Sequence, residues 1–436
     1  MHSLENDPNR PIWQRIPLYI QILIALIIGV GVGVLFGAGQ PTPENATFLQ
    51  SLAIPCSLIL KALRALATPL ILLAVLHSFL TAEIPENSGR RLFFYLLTNT
   101  LVAILVGLLV ANVLQPGHWG QLPAPQGAEA SKKTLDPWAL LQDSVPTAIV
   151  QPLVDNNVIQ LIVVALAFGI ALRKVKAQQI AEGRSDYLPG EQVVGFLFEA
   201  VMRVLSWVIA LVPLAVFGVV ARTVGISGFA PFKALGALIV AVITALVIQA
   251  CYYLLRVRLS TWVGIRRFLG GGSDALWTAF STASSTVTMP VTFRVLIEKV
   301  GLRESSTALG AMVGSNFNND GTALYEAMAA LFIAQTLNIN LSIGQQLIVV
   351  FTSIVASVGA AGIPEAGLVT MTLVFSAVGL PTEYIALLVT VDWFLDRCRT
   401  SINVMGDMTV SALLDGKVPK SEIEVEEVTL EVGSGR

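Results

Sequence analysis

The sequence predicts an all-α polytopic membrane protein, and three observations carry that prediction. Only 13% of its 436 residues are Asp, Glu, Lys or Arg, about half the roughly 25% of an ordinary soluble domain. Apolar residues make up 54%, with a formal net charge of -2 and a mean hydropathy of +0.73. Six uncharged or nearly uncharged runs, at 17–39, 53–81, 92–114, 157–172, 193–221 and 234–255, are long enough to cross roughly 30 Å of hydrocarbon. This composition excludes an ordinary soluble enzyme, and the near-neutral balance excludes a nucleic-acid binder or a disordered tail protein.

Residues 1–15 mix acids with bases and precede an uncharged run from Ile16 to Pro43. That run is too long for a signal-peptide core, so it is predicted as an uncleaved first span. In the second span Lys61 and Arg64 share one helical face and are read as snorkelling. Arg10/Arg15, Arg90/Arg91, Arg173/Lys174/Lys176, Arg256/Arg258/Arg266/Arg267 and Arg294/Lys299/Arg303 alternate with segments 40–52, 115–142 and 222–233, which hold only Lys132, Lys133, Arg222 and Lys233. Cytoplasmic loops collect Lys and Arg, so both termini are predicted cytoplasmic in a plasma or inner membrane. Cys56, Cys251 and Cys398 lie in or beside apolar segments without paired spacing and read as small hydrophobes.

After residue 260 the apolar segments are interrupted by STASSTVTMP (281–290) and ASVGAAGIPEAG (356–367). Gly and Pro lower helix propensity, and irregular backbone at membrane depth persists only where protein or a wet cavity satisfies it. Each tract is therefore predicted as the tip of a re-entrant helical hairpin. Pro290 precedes Asp320 by thirty residues and Pro364 precedes Asp392 by twenty-eight. Two copies of hairpin followed by charged helix point to inverted repeats with a site near the midplane.

Between Ser305 and Leu414 stand seven acids, Asp320, Glu326, Glu365, Glu383, Asp392, Asp396 and Asp407, against Arg397 and Arg399, a net five negative charges. Acids at bilayer depth imply bound cations, protons or a wet cavity. At 100° per residue Asp392, Asp396, Arg399, Asn403 and Asp407 fall within a stripe about 80° wide, whereas Arg397 points elsewhere. Asn316, Asn318, Asn319 and Asp320 beside Gly321 should break their helix and free oxygens for a small hard cation. Glu326, a lone carboxyl among small apolar residues, is a candidate proton carrier, because removal from water disfavours the charged form. Tyr95, Thr98 and Asn99 form a polar patch in the third span, by themselves a set of interhelical hydrogen-bonding residues.

These motifs carry a resemblance. STASSTVTMPVT resembles the serine-rich first hairpin of the glutamate transporter family, the dicarboxylate/amino acid:cation symporters, and NNDGTALYEAMAALFIAQ resembles its NMDGT helix. ASVGAAGIPEAGLVTM and VDWFLDRCRTSINVMGD are similar to its second hairpin and last helix. The resemblance implies an elevator-type transporter with eight transmembrane helices plus two re-entrant hairpins, not an enzyme, assembled as a homotrimer in the lipid bilayer. Residues 1–91 and 157–222 (spans 1, 2, 4 and 5) would be the scaffold and trimerisation domain, and 92–114 and 234–414 the transport domain. Residues 115–156 would be an extracellular loop leading into span 4, and 415–436 a cytoplasmic tail.

Residue by residue, the resemblance implies that Arg399 takes a substrate side-chain carboxylate with Thr322 assisting, and that Asp396 takes the α-ammonium with Thr400 nearby. Asn403, Ser285 and backbone near Ser284 and Gly367 would hold the α-carboxylate of L-glutamate or L-aspartate. One Na+ is expected among Gly314, Asn318, Asn403 and Asp407. A second is expected among Tyr95, Thr98, Asn99, Asn318 and Asp320, with Asp392 as its structural partner. A third would be held near Asn316, Asn319, Ser357 and Val358. Glu326 occupies the position that in animal and allied carriers moves H+ and permits K+ counter-transport, and Arg397 with Ala283 matches their arrangement.

Asn99, Asn316 and Asn319 depart from the family pattern, and all three bear on the number and identity of the coupled ions. Glu365, usually glutamine or glycine, could repel an acidic substrate, pair with a cation or face water. The alternatives are a C4-dicarboxylate or neutral amino acid:cation symporter of the same fold. Asp396 argues against the dicarboxylate, because it would repel a second carboxylate. An intramembrane aspartyl protease lacks opposed carboxylates and a GxGD motif; an uncoupled channel is the remaining class.

Overall fold

The computed structural model describes residues 16, 18–81, 89–120, 145–155, 157–359 and 366–418. Arg10, Arg15, Lys132, Lys133, Pro364, Glu365 and the tail beyond residue 418 lie outside the described residues. Among the described residues all regular structure is helical, as the composition predicts.

Helix α1 (Leu18–Phe36) ends where Ala38 (φ 47°) and Gly39 (φ 91°) reverse the chain. Thr42 then caps α2 (Pro43–Leu52), its side chain accepting from the Asn45 N–H, one of the orphan donors of a helix start. Next come α3 (Ile54–Thr81), α4 (Gly89–Leu114), α5 (Val158–Ala181), α6 (Leu188–Ile209), α7 (Val212–Ser227) and α8 (Ala230–Ser260). Among the described residues, four stretches are long and apolar enough to cross a membrane: Pro43–Thr81, Gly89–His118, Leu188–Ser227 and Ala230–Ser260. The 193–221 run, expected as one continuous span, is split into α6 and α7 at Ala210–Leu211. Pro213 lacks the N–H that a continuing helix would need, and proline is at home in a first turn.

The second half begins with α9 (Ile265–Thr282) and α10 (Ser285–Val295), which pack against each other as a helical hairpin. Ala283 takes the left-handed conformation (φ 51°), and the Ser284 side chain caps α10 by accepting from the Val287 N–H at 3.2 Å. The first interrupted tract therefore does turn the chain, at its Ala-Ser step rather than at Pro290, which lies inside α10. A π-helical turn, Leu296–Val300, follows. Helix α11 runs from Glu304–Thr307 through π-helical Ala308–Val313 to Gly314–Phe317. Asn318 and Asn319 are non-helical (φ -100°, ψ 71° and φ -101°, ψ 50°), the break their side chains foretold. Then come α12 (Asp320–Thr336), α13 (Ile343–Gly359), α14 (Ala366–Ala377) and α15 (Ile385–Asp415), with α13 packed on α14.

Two packing groups emerge. Helices α1, α2, α3, α5, α6 and α7 pack mainly with one another, and α4 joins α8 to α15 in the other group. Gly29, Gly33 and Gly37 let α1 approach α7 closely: a Cβ on Gly29 would stand 2.8 Å from Phe217 O, and one on Gly33 2.6 Å from Val224 Cβ. That is the small-residue spacing by which helices pack in lipid. In the second group every residue of α12 from Asp320 to Ala334 is buried, so its acids lie at the centre of the bundle. At one end of the bundle, Asp415 accepts from Trp262 Nε1 (2.7 Å) and from the Arg303 N–H and Nε (3.0 and 2.9 Å), tying the end of α15 to the turns beside α9 and α11.

Candidate substrate and cation sites

The polar stripe of α15 is buried throughout: Asp392, Asp396, Arg399, Thr400, Asn403 and Asp407 all face the interior. Arg399 is fully buried, with Nη1 2.8 Å from Asp392 Oδ1 and Nη2 2.8 Å from Asp396 Oδ1. Its guanidinium carbon stands 4.1 Å from the centre of the Tyr325 ring, a cation–π geometry. Its Nε–H and Asp392 Oδ2 have no protein partner. A Cβ on Gly367, at the start of α14, would stand 3.0 Å from Arg399 Nη2, so hairpin backbone lies directly over the fork. Two carboxylates share one guanidinium, which leaves the cluster an excess negative charge.

Beside it, the α12 start is stitched to α15. Asn403 Oδ1 accepts from the Gly321 N–H at 2.7 Å, and Asn403 Nδ2 lies 3.4 Å from both Asn319 Oδ1 and Thr322 Oγ1. Gly321 is required there, since a Cβ would stand 2.6 Å from Arg399 O. Of the residues expected around substrate, the structure thus brings Arg399, Asp396 and Gly367 together, with Thr322 and Asn403 adjoining, and Thr400 is buried on the same helix. Ser284 and Ser285 are buried at the tip of the first hairpin; Ser285 Oγ has no partner, and the second arm of that hairpin packs on α15. Arg397 Nη1 donates to Phe280 O and Ser281 O (3.2 and 3.0 Å), holding the same hairpin.

The three expected sodium positions differ. At the first, Asn318 Oδ1 and Asp407 Oδ1 are buried without partners, and a Cβ on Gly314 would stand 2.5 Å from Asp407 Oδ1. Unsatisfied oxygens, one of them carboxylate, suit a hard cation, so these residues fit one.

At the second position the side chains meet donors and acceptors from the chain itself. Asp320 accepts from Thr100 (2.6 Å) and from the Tyr253 hydroxyl, Asn99 Oδ1 accepts from Arg256 Nη1, and Thr98 Oγ1 donates to Phe94 O. The side-chain oxygens of Asn99 and Asp320 are engaged by donors from the chain. Asp392, expected to support this position, is paired with Arg399.

At the third, Asn319 Nδ2 donates to Asn316 O (3.4 Å) and Ser357 O (2.9 Å), so an amide nitrogen stands on carbonyls expected to hold an ion. The Val358 side chain lies outside the described residues.

Glu326 is fully buried, accepts from Thr370 Oγ1 of α14 on one oxygen, and has no partner on the other. Tyr253, Thr100, Thr370, Tyr325 and Arg256 were not singled out as site residues from sequence. Arg256 looked like one of a run of basic orientation signals, and hydroxyls among apolar helix residues carry no pattern of their own.

A buried charged stripe and a broken helix set among apolar helices suit a membrane transporter. The chain belongs to the sodium:dicarboxylate symporter family, which it matches over residues 18–417. It is 30% identical over 480 residues to excitatory amino acid transporter 3 of Oryctolagus cuniculus (95% of this chain, 88% of the relative). To the same transporter of Homo sapiens it is 29% identical over 485 residues (96% and 90%). It is 37% identical over 266 residues to excitatory amino acid transporter 1 of Rattus norvegicus (59% and 47%). The chain is accordingly a multi-pass membrane protein of a sodium-coupled symporter family, with a small molecule as its cargo.

Proposed function

We propose that this protein is a secondary active symporter of acidic amino acids, L-glutamate or L-aspartate, driven by Na+ with an accompanying H+. The observation that carries the reading is Arg399, a fully buried planar fork shared by Asp392 and Asp396 beneath the backbone of Gly367. A substrate side-chain carboxylate competes for this fork as a bidentate partner, while Asp396, released from it, takes the α-ammonium. The excess negative charge of the cluster favours a zwitterion over a C4-dicarboxylate, which brings two negative charges and no ammonium. The relatives' own name, excitatory amino acid transporter, supports the same substrate class.

In this reading Na+ binds among Gly314, Asn318, Asn403 and Asp407, and Glu326 carries the proton, exchanging it for K+ on return. Thr370 couples Glu326 to the second hairpin, which acts as the outer gate. The group containing α4 and α8 to α15 moves as the transport domain against a scaffold of α1 to α3 and α5 to α7, as an elevator within a homotrimer. The span count of eight plus two re-entrant hairpins, and cytoplasmic termini in a plasma or inner membrane, belong to the same proposal. Uptake of labelled aspartate and serine by Arg399→Ala tests it: aspartate uptake is lost and serine uptake is less affected.

A further inference from the structure

A cation of the chain itself stands against two residues of the second expected sodium position, Asn99 and Tyr95. Arg256 of α8 donates through Nη1 to Asn99 Oδ1 on α4 and lies 3.3 Å from the Tyr252 hydroxyl. Its guanidinium carbon is 5.5 Å from the Tyr95 ring centre and 5.6 Å from that of Tyr252, within the roughly 6 Å at which ring faces attract cations. Asn99 is fully buried, its carbonyl oxygen engaged by Arg256 and its Nδ2 without a partner. The next residue of α8, Tyr253, donates to Asp320, whose other oxygen accepts from Thr100. One amide oxygen and two aromatic faces thus surround a positive charge in a cluster that also holds a buried carboxylate. A basic residue serving only as an orientation signal would face outward, as Arg258 two residues on does.

We propose that Arg256 is a tethered cation that replaces a coupling ion at the junction of α4, α8 and α12, so that Asn99 and Asp320 take no sodium while it is present. This rests on the reading of the protein as a cation-coupled symporter. A guanidinium fixed to α8 cannot leave with substrate, so its charge stays in the cluster through the cycle and contributes nothing to the ion gradient. Fewer sodium ions are then transported per substrate than three occupied positions would give.

The test is equilibrium binding of radioactive 22Na+ to the purified full-length protein, counted per chain. Arg256→Met and Arg256→Gln are expected to bind one more sodium than wild type, and Arg256→Lys, which keeps the charge, the same number. In the wild-type background Asn99→Ala is expected to leave the count unchanged. An unchanged count in both neutral variants overturns the proposal. So does a loss of one sodium in Asn99→Ala, a measurement that holds even if the neutral variants fail to fold. Asp407→Asn separates the two readings: a sodium count in that variant equal to wild type counts against the sodium-coupled symporter itself, whatever Arg256 does.

Discussion

Arg399 and Asp396, one turn apart on α15, are joined by a 2.8 Å ion pair in which the guanidinium is wholly buried and the carboxylate is 7% exposed. Asp392 takes the other end of the same guanidinium at 2.8 Å. A buried pair of this kind is weak evidence of stabilisation, because desolvation offsets much of the attraction. Its value is electrostatic selection: a site with one fork and two carboxylates admits a ligand that brings both a carboxylate and an ammonium.

Arg399→Lys separates charge from geometry. A lysine keeps the positive charge beside Asp392 and Asp396 but offers no planar fork. Acidic amino-acid uptake should fall about 10–100-fold, the loss of one charge-assisted hydrogen bond. Arg399→Ala should in addition melt at lower temperature, since removing one member of a buried pair costs about 3–5 kcal/mol. Labelled uptake and thermal melting of both variants check this; equal melting of Ala, Lys and wild type goes against the buried pairing.

Glu326→Gln should abolish the pH dependence of net uptake and leave substrate exchange intact. Gln keeps the volume and an acceptor for Thr370 but has no proton to carry. Uptake and exchange measured across pH 5–8 in reconstituted protein check it, and an unaltered pH profile removes Glu326 from the proton path.

Asp407→Asn should raise the sodium concentration for half-maximal uptake about tenfold or more, an expectation set by one lost charge-assisted contact. Its carboxylate oxygen without a protein partner beside Gly314 is the reason. A sodium titration at saturating substrate measures the shift, and an unmoved midpoint counts against this cation position.

Gly321→Ala tests the close approach of α12 to α15. The added methyl would meet Arg399 O at 2.6 Å, and overpacking of this kind costs about 1–3 kcal/mol. A melting temperature lowered by several degrees, with weakened aspartate uptake, is expected; wild-type melting and uptake would show that the helices have room.

Much of this was legible in the sequence because it follows from local chemistry. The helical stripe from Asp392 to Asp407 needed only 100° periodicity, and the break at Asn318–Asn319 only the competition of Asx side chains with helical pairing. The turn at Ala283–Ser284 was located to within a short tract, its position set by a left-handed residue and a capping hydroxyl that propensity alone does not rank. What sequence could not supply was partnership across helices. Arg256 and Asn99 are 157 residues apart, and nothing in either segment says that they meet. Asn319 and Ser357, 38 residues apart, were placed together only through the family resemblance, not by anything local in either segment. The split between α6 and α7 was missed because an apolar run conceals the effect of Pro213.

The most direct measurement of the central claim is uptake into proteoliposomes of labelled aspartate, glutamate, serine and succinate, with sodium, proton and potassium gradients imposed one at a time. Aspartate or glutamate should accumulate against its gradient when sodium is imposed inward, faster with protons inward and to a higher level than serine, while succinate remains near background. Accumulation of succinate in preference to aspartate and glutamate, or acidic amino-acid flux indifferent to every imposed cation gradient, would contradict the account.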